Sequence, residues 1–145
     1  MMDADTVAMA KALALRAHAG QVDQAGAPYV GHVARVAARV AGDPLAETVA
    51  WLHDVLEDCP AHAAEVQAFP RDVVAAVSLL TRTAEVAPET YYERIRHSPV
   101  ALAVKLADIA DNAAPDRLTK LPSAVAERLR AKYEHARAAL GQASG

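Results

Sequence analysis

Three stretches of this chain read as apolar helix, and each carries an ionisable residue that such a helix cannot bury alone. His32 lies in the run from Val30 to Val40. The pair His53-Asp54 sits in Ala50-Trp51-Leu52-His53-Asp54-Val55-Leu56-Glu57-Asp58, and Asp108 in Val104-Lys105-Leu106-Ala107-Asp108. An ionisable group facing a helical core costs several kcal/mol unless it is paired or bound to a metal. Any fold this chain adopts must therefore find partners for these four. Two imidazoles and two carboxylates make a mixed nitrogen and oxygen donor set that suits a divalent transition metal. A metal-dependent hydrolase is the leading reading.

The punctuation around these stretches predicts an all-α chain. A first helix is expected from about Asp5 to Ala19, ended by Gly20, with a loop from Gly20 to Tyr29 holding Gly26 and Pro28. A second helix spans about Val30 to Val40. Asp43-Pro44 supplies an N-cap followed by proline at the first helical position, opening a helix from Leu45 to Asp58 that holds the His-Asp pair. Pro60 closes that element. Short helices follow at Ala61 to Ala68 and Arg71 to Thr81, and Pro88 opens a segment to about His97. Ser98-Pro99 repeats the cap-then-proline start for a helix from Val100 to Ala113. Pro115 and Pro122 bracket a loop, and Ser123 is expected to cap a last helix to about Leu140, before a frayed tail from Gly141 to Gly145. No strand-like alternation and no internal repeat is present.

Composition agrees and narrows the function classes. The chain has 145 residues, enough for one domain with a real core, expected to span about residues 5–140. Hydrophobic residues make up 53% but aromatics only 4%, so alanine supplies much of the apolar content and close-packed helices are favoured over sheets. A net charge of -3 argues against polymeric nucleic acid as a partner, because phosphate-backbone binding needs clustered cations. A small phosphorylated ligand stays open. One cysteine, Cys59, allows neither a disulfide framework nor a thiolate zinc cage within a chain. The acidic start Met1-Met2-Asp3-Ala4-Asp5 lacks the basic region of a signal peptide, and no apolar run approaches the ~20 residues of a membrane span. A soluble cytoplasmic protein is expected. Arg128, Arg130, Lys132 and Arg137 on the last helix read as a solvated face or an interface, which leaves a homo-oligomer open.

Helical spacing relates the candidate site residues. His53 and Glu57 are four apart, as are Asp54 and Asp58, so each pair stacks on neighbouring turns. On one continuous helix, His53 and Asp54 would diverge by about 100° and reach a single ion only from opposite flanks of a narrow stripe. Lys105, Asp108 and Asn112 recur at three- and four-residue spacing, with Asp111 beside them. A bound divalent ion acidifies water and polarises a phosphoryl oxygen. Glu57 and Asp58, one turn past the ligands, are placed to orient water or move a proton, and Lys105 to offset phosphate charge.

Five segments occur in an order that carries a family resemblance. They are Ala17-His18-Ala19-Gly20-Gln21, then Gly26-x-Pro28-Tyr29-Val30-x-His32, then Leu52-His53-Asp54-Val55-Leu56-Glu57-Asp58. Leu80-Thr81 and Lys105-Leu106-Ala107-Asp108-x-x-Asp111-Asn112 follow. Over roughly residues 7–135 the chain resembles the HD-domain metal-dependent phosphohydrolases, in particular the hydrolase domain of the Rel/SpoT alarmone enzymes and the small alarmone hydrolases. The resemblance implies a single all-α HD-domain helical bundle holding one Mn²⁺, and removal of pyrophosphate from the ribose 3′ position of guanosine tetra- and pentaphosphate. It implies His32, His53, Asp54 and Asp108 as metal ligands and Glu57 and Asp58 as the catalytic pair. Thr81, Lys105 and Asn112 would line the substrate site.

The chain departs from that family where the nucleotide is held. After Gly20-Gln21 the family usually carries a basic cluster, and Val22-Asp23-Gln24 stands here instead. Val33 replaces the usual proline after the metal histidine, and Ile109-Ala110 the usual Arg-Leu. The expectation is therefore a phosphohydrolase acting on a small nucleotide, the alarmone being the first candidate. The alternatives are a hydrolase of another nucleotide phosphate and an inactive metal-binding nucleotide sensor. His18 reads as a structural residue bonded within the fold, Cys59 as a small buried filler, and Tyr91-Tyr92 as core and groove residues. His62, His97 and His135 read as surface residues without partners.

Overall fold

The computed structural model describes residues 3–142. Among the described residues the regular structure is all helical, apart from an isolated bridge between Val22 and Pro28. Its helices are α1 (Ala4–Ala17), α2 (Tyr29–Arg39), α3 (Pro44–Leu52), α4 (Val55–Asp58), α5 (Ala63–Gln67), α6 (Arg71–Leu80), α7 (Pro88–Arg96), α8 (Pro99–Asn112), α9 (Pro115–Leu118) and α10 (Ser123–Ala139). A single 3₁₀ turn, Pro60–His62, precedes α5.

Local chemistry sets most of the helix starts. Asp3 caps α1 by accepting from the Thr6 N–H at 2.9 Å. The Asp43 carboxylate accepts from Leu45 and Ala46, and Ser98 Oγ from Ala101, with proline at the first helical position after each. Both cap-then-proline starts stand where the sequence places them. Ser123 does not act as a cap. Pro122 takes the extended cap position and Ser123 is already the first helical residue, with no side-chain cap bond. The expected loop between Pro115 and Pro122 contains the short helix α9, for which Pro115 supplies the fixed first φ.

α3 forms the centre of the packing. It lies against α1, α2, α6 and α8, and six of its nine residues are buried, Thr48 among them. Ala46 and Ala50 on α3, with Ala10 and Ala14 on α1, are almost completely enclosed where the two helices pack. Small side chains there let the backbones approach closely. Val33 and Val36 of α2, Val77 of α6, Ile95 of α7 and Val104 of α8 complete the core. No helix among the described residues is long and apolar enough to cross a membrane.

One expectation fails at a decisive place. The sequence predicts a continuous helix from Leu45 to Asp58, but the helix stops at Leu52 and restarts at Val55. The break has a local cause. In an unbroken helix the Ala50 carbonyl would accept from the Asp54 N–H. Instead it accepts from the His53 ring Nδ1 at 2.6 Å and from the His53 backbone N–H at 3.5 Å. A side chain that captures a carbonyl of its own helix competes with the ladder and ends it. The predicted helix Ala61 to Ala68 is likewise divided into the 3₁₀ turn and α5. The expected frayed tail lies outside the described residues from 143 onward, while Gly141, with φ +81°, ends α10.

Candidate functional site

Three elements converge on one point. α2 brings His32, the break between α3 and α4 brings His53 and Asp54, and α8 brings Asp108. One donor atom from each lies within 4.8 Å of all the others. The break explains how two adjacent residues share a centre. His53 faces inward as the cap of α3, and Asp54 turns the chain ahead of α4, so the diverging angle of a continuous helix no longer applies.

The contacts within the cluster are close. His32 Nε2 lies 2.9 Å from Asp108 Oδ1. His53 Nε2 lies 3.0 Å from Asp54 Oδ2 and 3.4 Å from Asp108 Oδ1. Each imidazole has its other nitrogen engaged elsewhere. His53 Nδ1 donates to the Ala50 carbonyl at 2.6 Å, and His32 Nδ1 lies 2.6 Å from Asp111 Oδ2. With both Nδ1 atoms bonded outward, both Nε2 atoms face the two carboxylates. This is the arrangement by which proteins fix the tautomer of a metal-binding histidine, so the residues fit a divalent ion.

Charge around the cluster is balanced residue by residue. Burial pushes the Asp108 carboxyl up, but hydrogen bonds from His32 and His53 and the nearby charges of His53 and Lys105 outweigh it, holding the group well below the usual carboxylate range. Burial likewise opposes charge on His53, and the Asp54 and Asp108 carboxylates override it. Asp111 is buried too, yet bonds to His32 and Arg35 lower it to about 2. The Lys105 ammonium resists its burial through Asp108, with Nζ 3.3 Å from Oδ2. Asn112 Nδ2 donates to Asp108 Oδ1 at 3.2 Å. Lys105 and Asn112 thus both reach the cluster through Asp108.

The remaining site residues lie further out. Glu57 and Asp58 are exposed on α4, one turn beyond Asp54. Glu57 Oε1 accepts the Arg82 N–H at 2.7 Å, which ties α4 to the end of α6. Partial burial raises the Asp58 carboxyl, and the neighbouring Asp54 and Glu57 charges push it the same way. Thr81 stands next to Arg82, but its hydroxyl donates to the Val77 carbonyl at 2.8 Å rather than to the cluster. Tyr91 is buried, with the Lys105 ammonium 5.7 Å and the Arg82 guanidinium 5.2 Å from its ring centre.

Two further side chains bond to the donors or to their supports. Tyr29 donates its hydroxyl to Asp54 Oδ2, and its ring lies 5.4 Å from that of His32. Arg35 Nε reaches Asp111 Oδ1 at 2.7 Å, one turn along α2 from His32. The three-residue spacing from His32 to Arg35, matching that from Asp108 to Asp111, is the signal that could have found Arg35. His18 is buried as expected, with Nδ1 2.9 Å from Gln21 Oε1 and Cys59 close behind. His62, expected to lack a partner, instead pairs with Glu65 at 2.7 Å across one turn. His97 and His135 are exposed.

Beside the cluster lies a cavity of about 490 Å³, bordered by Tyr29, Asp111 and Asn112 on its inner side and by Tyr133, Leu118 and Leu129 further out.

No protein-family model and no curated protein matches this sequence. Among solved structures, the chain is similar to one described as a metazoan ortholog of SpoT that hydrolyzes ppGpp and plays a role in starvation responses. The TM-score is 0.77 at 22% identity, over 97% of this chain and 88% of that one. The likeness extends over nearly the whole helical array, from α1 to α10. This chain therefore shares the all-α fold of that structure.

Proposed function

We propose that the protein is a metal-dependent phosphohydrolase acting on a small phosphorylated nucleotide. The observation that carries the reading is the pair of imidazoles with outward-bonded Nδ1 atoms, aiming both Nε2 atoms at Asp54 and Asp108. His32, His53, Asp54 and Asp108 would hold the ion, and the mixed imidazole-carboxylate set suits Mn²⁺. When bound, the ion supplies Lewis acidity toward a phosphoryl oxygen and lowers the pKa of water.

The chain's own groups do the rest. Asp58, whose carboxyl is raised by burial and by Asp54 and Glu57, gives or takes a proton more readily near neutrality than an ordinary aspartate. Glu57, anchored to the Arg82 N–H through one oxygen, keeps the other to orient water. Lys105 balances phosphate charge, and Asn112 and Thr81 border the substrate. Guanosine tetraphosphate is the first substrate to test, on the strength of the fold shared with the SpoT-like hydrolase. A second reading, another nucleotide phosphate, is favoured by one observation: Asp23 borders the cavity and is ion-paired there to Arg117.

Metal analysis and a product assay test the proposal together. The full chain, purified and loaded with Mn²⁺, should retain about one ion and release pyrophosphate from guanosine tetraphosphate, or phosphate from another nucleotide. Asp108→Asn should lose both ion and turnover. Turnover that persists undiminished in Asp108→Asn, or an ion that does not bind the native chain, overturns it.

A further inference from the structure

The cavity beside the cluster has most of its charge tied up in its own wall. It reaches the cluster through Tyr29, Asp111 and Asn112, which bond to Asp54, His32 and Asp108 respectively. Two of its guanidinium groups are engaged by carboxylates. Arg117 lies 3.2 Å from Asp23 Oδ2, with its Nε 3.9 Å from Asp111 Oδ2, and Arg35 lies 2.7 Å from Asp111 Oδ1. The Asp23 side chain is only 7% exposed, so this pair belongs to the wall and not to the open surface. Its geometry is set in advance. Asp23 Oδ1 accepts the N–H groups of Ala25 and Ala27, both at 2.9 Å, which leaves Oδ2 turned to Arg117.

The other charged groups of the lining stand at its edge. Arg39, Lys120 and Asp116 are exposed at the margin, leaving a balance of one positive charge. Further in are Leu118, Leu121 and Leu129, the Tyr133 ring and the Asn112 side-chain amide, with the Gln24 amide at the exposed edge. Apolar walls with a few placed amides, in a volume of this size, suit a flat, hydrogen-bonding, uncharged body. A pyrophosphate brought there would meet Asp23 and Asp111. To use Arg117 it would have to break an ion pair and leave a shielded carboxylate without its partner.

We propose that the cavity takes the uncharged nucleoside body of a nucleoside monophosphate whose phosphoryl group reaches the His32, His53, Asp54 and Asp108 cluster, and that Asp23, by holding Arg117, selects against substrates carrying further phosphates. This deepens the second phosphohydrolase reading above, a nucleotide phosphate other than guanosine tetraphosphate, and rests on it. Asp23 is a specificity-determining residue that acts through Arg117. Discrimination comes from a built-in repulsive element as much as from contacts with the favoured ligand.

Calorimetric binding to the metal-loaded full chain tests this without requiring turnover. The ligands are guanosine 3′- and 5′-monophosphate and guanosine tetraphosphate. The native chain should bind the better monophosphate more tightly than the tetraphosphate. Asp23→Asn keeps an oxygen for the Ala25 and Ala27 N–H groups while removing the charge, and should move the affinity ratio ~10-fold toward the tetraphosphate. Arg117→Gln leaves the carboxylate facing the cavity and should move the ratio the opposite way, so either variant suffices if the other fails to fold. A ratio unchanged in both variants, tighter native binding of the tetraphosphate, or no binding of either monophosphate overturns the proposal. Absence of turnover with the ratio and its shifts intact would remove only the hydrolase reading.

Discussion

His32 and Asp111 share a buried contact of 2.6 Å, which leaves Nε2 as the one ring nitrogen turned toward the donor cluster. Asp111 is itself gripped by Arg35 at 2.7 Å, so the ring is oriented by a relay that runs from the edge of α2 through α8. The relay predicts that Asp111 matters to the ion without touching it. Asp111→Asn should weaken metal affinity ~10–100-fold while leaving the helical content intact. Titration with Mn²⁺, followed by calorimetry alongside circular dichroism, measures both quantities. Unaltered affinity would mean that the ring is positioned by packing alone.

Ion binding should stabilise the fold by linkage. With free Mn²⁺ at 100 times its Kd, the gain is about 2.7 kcal/mol, or roughly 8 °C in Tm for a chain of this size. Thermal melts with and without Mn²⁺ read it directly, and excess EDTA should return the melt to its starting point. Asp108→Asn should show no such rise.

Leu52 is fully buried and is the last residue of α3 before the break. Leu52→Ala opens a cavity beneath His53 and should cost about 2–5 kcal/mol. A lower urea midpoint with an unchanged slope is the expected result. A change under 1 kcal/mol would show that the core relaxes around the site.

The Asp23–Arg117 pair gives a signed pH dependence. Burial pushes the Asp23 carboxyl up, but the Ala27 and Ala25 N–H groups and Arg117 outweigh it, so the folded-state value lies below the unfolded one. Its stabilisation is therefore present above an unfolded pKa of about 3.9 and is lost as pH falls through the lower folded value. The Tm difference between the native chain and Asp23→Asn should be constant from pH 7 to 5 and shrink below pH 4. A difference that grows on acidification would contradict the pairing.

What could be read from the sequence followed the range of the interactions. Asp43-Pro44 and Ser98-Pro99 announce α3 and α8 because a cap bond spans two or three residues. The four donors stood out because imidazole and carboxylate groups on apolar helices require partners, and the convergence of His32, His53, Asp54 and Asp108 in space meets that requirement. The break at His53 escaped because it depends on a rotamer, the one that places Nδ1 on the Ala50 carbonyl. Propensity favours a continuous helix there. Arg35, Arg117 and the bond from Tyr29 to Asp54 escaped because each acts through a residue on another element, and nothing local marks the far partner.

The interruption between α3 and α4 divides the site into two parts with separate mechanical supports. His53 is anchored to the central helix, whereas Glu57 and Asp58 ride on a four-residue segment held at its far side by the Arg82 N–H. A change that displaces the Arg82 backbone acts on the Glu57 carboxylate, whereas His53 keeps its own anchor on the Ala50 carbonyl. Such a joint lets a lineage retune the handling of water and protons without rebuilding the cradle for the ion.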